Sequence, residues 1–164
     1  MKILAVSDTH GCFERFYKAC KWEKPDVVLF SGDCSSDALE MELIFPEIKF
    51  FIVCGNCDYD DYTTKDEITV ELEGVRFFLT HGHIYSVKRD YSRIEEKGYE
   101  EKADVIVFGH THNPDCVDTF SRRRGDGQDK VITLFNPGAV LNGKYGVIEI
   151  EQGKKIKFTH KNLD

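Results

Sequence analysis

Residues 3–10 read Ile3-Leu4-Ala5-Val6-Ser7-Asp8-Thr9-His10, and this stretch decides the fold. Four apolar residues end abruptly in serine and aspartate, a pattern typical of a buried β-strand that opens into a polar loop. The pattern returns twice, because residues 26–30 end in Ser31-Gly32-Asp33 and residues 50–54 end in Gly55-Asn56. Three short strands are therefore predicted, each with a polar side chain just beyond its carboxyl end.

Helical spacing separates these strands. Residues 13–22 and 35–45 repeat apolar positions at helical intervals, and Ser35 or Ser36 is the expected N-cap of the second helix. Three aromatic residues of the first helix are expected in the core: Phe13, Phe16 and Tyr17. Strands that alternate with helices predict βαβ units and a parallel sheet.

The rest of the chain favours hairpins. Three are expected, with strands at residues 68–72 and 75–79, 117–120 and 131–135, and 146–151 and 155–159. A helix within residues 85–102 and a buried strand at residues 105–108 lie between the first two hairpins. The sequence has no linker-like stretch, so residues 1–164 are expected to form a single α/β domain.

Composition narrows the classes of function. The chain has 164 residues, 41% of them hydrophobic and 31% charged, which is an ordinary globular balance. The net charge of −7 disfavours non-specific binding of nucleic acid, so no extended nucleic-acid groove is expected. No apolar run approaches the length of a membrane span, and the first residues turn acidic too soon for a signal peptide. A cytoplasmic protein with no membrane association is therefore expected.

The six cysteines are expected to be free thiols in that compartment. Cys54-Gly55-Asn56-Cys57 has the spacing of a redox motif, but it ends a strand and opens no clear helix. A structural zinc site normally needs a second such pair, and the sequence has none.

Metal-ligating residue types lie beyond five strand ends: Asp8-Thr9-His10, Gly32-Asp33, Gly55-Asn56, His81-Gly82-His83 and Gly109-His110-Thr111-His112. A single histidine in such a place is more often structural than a ligand. Five such clusters together are not expected in a hydrophobic core, because burying polar side chains without partners costs free energy. The carboxyl ends of strands are also where α/β sheets bind ligands.

Carboxylate, imidazole and amide donors without an obligatory thiolate suit Mn²⁺, Fe²⁺, Mg²⁺ or Zn²⁺. A shared carboxylate can bridge two cations about 3.5–4 Å apart, as in two-metal hydrolases that activate water and neutralise phosphate oxygens. We therefore predict a phosphoesterase with two divalent ions per chain. Mn²⁺ is the preferred ion, with Fe, Zn, Ni and Mg as alternatives.

The five clusters, with Asp58 following the third, resemble in residue type and order the motifs of the calcineurin-like metallophosphoesterases. Asn136-Pro137-Gly138 adds a similar signature, and the length resembles that of the short prokaryotic phosphodiesterase branch. The resemblance implies a four-layer α/β/β/α sandwich of two mixed sheets flanked by helices. It also implies hydrolysis of small phosphate esters, as a phosphodiesterase or a phosphatase, by a metal-activated water or hydroxide at a binuclear centre.

The resemblance assigns roles residue by residue. One metal takes Asp8, His10 and His112, the other takes Asn56, His81 and His110, and Asp33 bridges them. Catalytic roles fall on Asn56, Cys57, Asp58 and His81, and substrate contacts fall on Cys57 and His83. A structural role for His83 stays open.

Two positions depart from the pattern of the family. Cys57 stands where many larger members carry a catalytic histidine, so it bears on rate and mechanism, with a small packing role as the alternative. Ala139 stands where serine is frequent, and no arginine follows nearby, which leaves the substrate contacts there undefined.

Other functions stay open at this point. The retromer subunit of the same superfamily binds partners without catalysis, so a partner-binding scaffold is the main alternative to the enzyme. Its ligand set is incomplete, whereas this one is complete. A nuclease is a third hypothesis, which the short acidic chain disfavours. A homo-oligomer is also compatible with the sequence.

Residues 122–130 are predicted to form a solvated hairpin tip whose three arginines are able to guide an anionic substrate.

Overall fold

The computed structural model describes residues 1–122 and 129–163, and ten strands in these ranges form two five-stranded sheets. In chain order the strands are β1 (Lys2–Val6), β2 (Val27–Ser31), β3 (Lys49–Val53), β4 (Glu67–Leu72), β5 (Val75–Thr80), β6 (Val105–Val107), β7 (Asp115–Arg122), β8 (Asp129–Asn136), β9 (Lys144–Glu149) and β10 (Lys157–Asn162). Three α-helices accompany them: α1 (Phe13–Glu23), α2 (Ser35–Ile44) and α3 (Ser92–Glu100).

Both sheets are mixed. The first has the order β10-β9-β1-β2-β3, with β1, β2 and β3 parallel and the β9–β10 hairpin antiparallel. The second has the order β4-β5-β6-β8-β7, in which β5, β6 and β8 are parallel and β4 and β7 are antiparallel edges. The predicted parallel strands and the three predicted hairpins are all present.

The core is divided into three layers of side chains. Alternate residues of β1 point to opposite faces, so Leu4 and Val6 pack under α1 and α2, whereas Ile3 and Ala5 face the second sheet. The far face of the second sheet packs on α3, where Ile94 joins a third cluster. The order helix, sheet, sheet, helix confirms the expected α/β/β/α sandwich.

Both aromatic positions flanking Phe16 behave largely as predicted. Phe16 is fully buried, and Phe13 and Tyr17 are partly buried against the same cluster. The expected N-cap of α2 was wrong, because Cys34 occupies that position and Ser35 is already helical. The reason is tertiary, since Asp58 accepts the Ser35 backbone N–H at 2.8 Å and the Ser35 hydroxyl donates to Asp61 at 2.6 Å.

Two other expectations concern membrane-spanning helices and the arginines of residues 122–130. Within the described ranges, no helix is long and apolar enough to cross a membrane. The predicted role of the arginines in residues 122–130 lies outside what is described, because residues 123–128 and the neighbouring side chains are not part of it.

Candidate metal centre

The loops that follow β1, β2, β5 and β6 are hydrogen-bonded to one another at one edge of the sandwich. The Asp8 backbone N–H donates to the Gly32 carbonyl at 3.0 Å, and that of Gly109 donates to the His81 carbonyl at 3.1 Å. The His110 backbone N–H donates to Asp8 Oδ2 at 3.1 Å, which joins the loops of the two sheets. The predicted ligand clusters therefore meet in one place although they lie far apart in sequence.

Asp8, His10 and His112 form one group of donor atoms, all within 4.8 Å of one another. The Nε2 atom of His112 lies 3.1 Å from Asp8 Oδ1, and that of His10 lies 3.9 Å from the same oxygen. This is the triplet that the family resemblance assigns to one metal.

Asp33 lies between this triplet and His81. Its Oδ2 atom is 3.6 Å from His10 Nε2 on one side and 3.5 Å from His81 Nε2 on the other. Asn56 Oδ1 lies 3.2 Å from His81 Nε2, so two members of the second predicted set lie together. A carboxylate so placed has the geometry of a shared ligand.

Several donor atoms make no hydrogen bond to any described residue, which fits a cation held among them. Asp8 is fully buried, yet its Oδ1 atom makes no hydrogen bond to the described residues. The Nε2 atom of His10 is also buried without a hydrogen bond. An unpaired buried carboxylate oxygen is costly. His83 Nδ1 is also buried and unpartnered.

The orientation of His81 points the same way. Its Nδ1 lies 2.7 Å from the Ser31 carbonyl oxygen, which only accepts, so Nδ1 carries the proton and donates. The lone pair of Nε2 then faces the oxygens of Asn56 and Asp33. A cation between these three atoms would turn a repulsive contact into coordination, and metal-bound histidines are commonly oriented in this way.

His110 is brought to the site less directly than the other histidines. Its ring centroid lies 5.0 Å from that of His81 and 6.2 Å from that of His83. Burial is the largest cause that lowers the pKa of His110 to about 4, and the charge of Lys88 acts in the same direction, which keeps the ring neutral. A neutral imidazole is the form that binds metals.

The pKa of Asp33 also suits a ligand. Burial raises the pKa of Asp33, whereas the neighbouring His81 and the hydrogen bond from the Cys57 backbone lower it. The lowering effects are larger together, so the pKa lies below its usual range. The Cys57 N–H donates to Asp33 Oδ1 at 2.9 Å. The carboxylate therefore stays charged at neutral pH.

The backbone of the site is strained. Five residues assigned as ligands adopt left-handed conformations with positive φ: Asp8 (53°), His10 (44°), Asp33 (64°), His110 (66°) and His112 (61°). Such conformations are unfavourable for residues other than glycine and cluster at functional sites.

Two glycines make room for the acidic ligands. A Cβ atom on Gly109 would lie 1.8 Å from Ser7 Oγ and 2.7 Å from Asp8 Oδ2. A Cβ on Gly55 would lie 2.2 Å from Asp33 Oδ1. Any side chain at either position would displace a carboxylate.

The other predicted site residues lie beside the donors. The Asp58 carboxylate accepts hydrogen bonds from the backbone N–H groups of Asp33, Ser35 and Gly55 at 3.1, 2.8 and 2.6 Å. These bonds hold the loop after β3 against the start of α2. Burial, followed by the charge of Asp33, raises the pKa of the Cys57 thiol. The Cys54 thiol contacts Thr64 and Asp66, and all six cysteines are free, as expected.

Sequence reasoning missed two supporting residues. The Ser7 hydroxyl donates to Asp8 Oδ2 at 2.6 Å. The buried Asn136 amide donates to the Gly109 carbonyl at 2.9 Å and to Thr111 Oγ1 at 3.0 Å, which fixes the loop that carries His110 and His112. The Asn136-Pro137-Gly138 signature was a signal for the second, whereas nothing but its place before Asp8 pointed to Ser7.

A two-sheet sandwich with carboxylate and imidazole donors at its strand ends defines a class of metal-binding hydrolases, and known proteins share it. The family model of the calcineurin-like phosphoesterase superfamily domain matches residues 1–160. A probable metallophosphoesterase of Mycoplasma pneumoniae is 34% identical over 143 residues, which are 85% of this chain and 79% of the relative. A phosphodiesterase of Methanocaldococcus jannaschii is 30% identical over 128 residues, which are 68% of this chain and 74% of the relative.

Among solved structures, a predicted phosphoesterase of Streptococcus pneumoniae has a TM-score of 0.77 and 22% identity, over 98% of this chain and 88% of that one. The chain belongs to the calcineurin-like phosphoesterase superfamily, a metal-dependent family of hydrolases that act on phosphoric ester bonds.

Proposed function

We propose that this protein is a phosphodiesterase that hydrolyses small phosphate esters at a binuclear metal centre. The position of Asp33 carries the proposal, since its Oδ2 lies 3.6 Å from His10 and 3.5 Å from His81, between two sets of donors. The diester preference is supported by the relative from Methanocaldococcus jannaschii, which is described as a phosphodiesterase.

Seven residues would hold two divalent cations, Mn²⁺ being the preferred ion. Asp8, His10 and His112 would bind the first, Asn56, His81 and His110 the second, and Asp33 both. When bound, such a pair supplies an activated water and neutralises the phosphate oxygens.

The residues of the chain prepare the site in two ways. Ser7 and Asn136 fix the Asp8 carboxylate and the loop from Gly109 to Thr111 through the hydrogen bonds given above. Asp58 holds the Asp33 backbone, so it acts by positioning. Cys57 and His83 lie next to the donors, where they would contact the substrate.

The wider organisation of the protein remains a prediction. We propose one domain over residues 1–164 and a cytoplasmic location. Small phosphate esters are the proposed partners, and the mass of the protein in solution tests for homo-oligomers.

A partner-binding scaffold is the alternative, and catalysis separates the two. Purified protein should release p-nitrophenolate from bis-p-nitrophenyl phosphate with added Mn²⁺, lose this activity with chelator and regain it when Mn²⁺ is restored. Asp8→Asn should be inactive, whereas Glu40→Gln, an exposed carboxylate change on α2, should match the wild type. A wild-type protein that binds Mn²⁺ but never releases p-nitrophenolate would favour the scaffold.

A further inference from the structure

A cleft of about 390 Å³ lies between the amino-terminal end of α2 and the loop of residues 57–61. Leu39 and Tyr59 line it, and these apolar side chains are 41% and 77% exposed. Apolar side chains that line a cleft offer a contact surface to a ligand, and binding grooves are commonly lined in this way.

The cleft is adjacent to the candidate metal centre. Cys57 lines the cleft, and its Sγ also lies within 4.8 Å of donor atoms of His10 and Asp33. Cys34, next to the Asp33 carboxylate in sequence, lines the same wall. A phosphate held at the donors would therefore place one of its ester groups at the mouth of the cleft.

The charges of the cleft are negative. Its lining includes three aspartates and no lysine or arginine among the described residues. Asp58 and Asp61 are engaged by the loop and by Ser35, whereas Asp60 is exposed and makes no hydrogen bond or ion pair to any described residue. A free carboxylate at the rim repels a second negative group and tolerates a neutral or cationic one.

A second groove differs from the α2 cleft because its lining contains cations as well as carboxylates. Lys88 and Arg89 line it together with Asp90 and Asp115, and Arg89 lies 3.7 Å from Asp90. The charges of the second groove are therefore balanced, whereas the described lining of the α2 cleft has carboxylates without cations.

We propose that the α2 cleft binds an organic ester group of the substrate, and that it selects aromatic or apolar groups without negative charge. The proposal rests on the proposed function and narrows it to diesters of uncharged or cationic alcohols. Leu39 and Tyr59 supply the contact surface, and Asp60 supplies the discrimination against anions.

Binding of phosphonates to the Mn²⁺-loaded protein tests this without turnover. Isothermal titration calorimetry compares methylphosphonate, phenylphosphonate and 4-carboxyphenylphosphonate. Phenylphosphonate should bind about threefold to tenfold more tightly than methylphosphonate, since an aromatic contact contributes that much. The carboxyphenyl compound should bind more weakly than the phenyl compound by about threefold or more at low salt.

Matched variants assign the effect to the cleft. Leu39→Ala and Tyr59→Ala should each reduce the phenyl-to-methyl preference, and Asp60→Asn should narrow only the phenyl-to-carboxyphenyl ratio. Leu43→Ala and Tyr62→Ala are the controls, because Leu43 lies on the same helix and Tyr62 directly follows the same loop. Their side chains are 81% and 89% exposed and do not line the cleft. These controls should keep the wild-type preferences.

The outcomes separate the two proposals. Equal affinities for the three phosphonates, unchanged in Leu39→Ala and Tyr59→Ala, would overturn the cleft proposal while leaving the phosphodiesterase intact. Absence of both Mn²⁺ and phosphonate binding would overturn the proposed function and the cleft assignment with it.

Discussion

At the scale of single residues, the thiol of Cys57 stands between the metal donors and the α2 cleft. We predict that it tunes catalysis and is not a nucleophile. Cys57→His should keep both metals and change the rate or the monoester-to-diester ratio by about tenfold or more, since general-acid help is worth ~10²–10⁴-fold. Cys57→Ser should retain measurable hydrolysis. Steady-state rates and metal analysis of the three proteins check this.

The nucleophile hypothesis has distinct signatures. Trapping of a phosphoryl group on Cys57 by mass spectrometry would contradict the prediction. So would a Cys57→Ser protein that holds both metals and has no activity.

The chemical types of the donors could be predicted from sequence, whereas their conformations could not. Asp8, His10 and Asp33 were identified from their places beyond strand ends. Their positive φ values depend on hydrogen bonds from distant loops, such as His110 N–H to Asp8, which no local pattern encodes. The close approach of Gly109 to Ser7 likewise appears only when the two sheets meet.

At the scale of elements, Asp58 ties the loop after β3 to the start of α2. Its carboxylate accepts three backbone N–H groups, and these would lose their partner in Asp58→Ala. We expect the free energy of unfolding to fall by about 1–3 kcal/mol, the cost of leaving buried donors unpaired, and Mn²⁺ affinity to fall as well. Urea denaturation and calorimetric titration measure the two quantities.

A surface change on the same helix provides the control for Asp58. Glu42→Ala alters an exposed carboxylate of α2, so both stability and Mn²⁺ affinity should stay within error of the wild type. An Asp58→Ala protein with wild-type Mn²⁺ affinity would show that the loop does not position Asp33.

At the scale of the whole molecule, Glu23 joins the two ends of the chain. Its buried carboxylate lies 2.7 Å from Lys2 and 2.8 Å from Lys161, and it accepts a hydrogen bond from Tyr145 at 2.9 Å. Burial raises the pKa of Glu23, but the hydrogen bonds from Lys161, Lys2 and Tyr145 outweigh it and lower the pKa to about 2.

This shift predicts a pH-dependent contribution to stability. Because the folded pKa is below the ordinary value of 4.5, the contribution is complete above about 4.5 and is lost as pH falls towards 2. Glu23→Gln should therefore lower the free energy of unfolding by about 2 kcal/mol at pH 7 and by progressively less below pH 4.5. Denaturation across pH measures this, with exposed Glu14→Gln of α1 as the control. A pH-independent difference would contradict the assignment.

Long-range pairing is also what limited prediction of the architecture. The βαβ units and hairpins follow from local periodicity, as at β1 to β3 and at β4–β5. The pairing of Lys2 with Glu149, which inserts β9 between β1 and β10, joins residues from opposite ends of the chain. The prediction that the two sheets stack came from the family resemblance. An apolar strand sequence does not specify which other sheet its buried face packs against.

Metal analysis of wild-type protein beside Asp33→Ala tests the central claim most directly. A carboxylate that contacts both cations should be the most damaging ligand to lose, because two like charges would then lie close together without compensation. The account predicts two equivalents of Mn²⁺ per wild-type chain, less than one in Asp33→Ala, and no hydrolysis of bis-p-nitrophenyl phosphate by the variant. Two full equivalents in an active Asp33→Ala protein would contradict it.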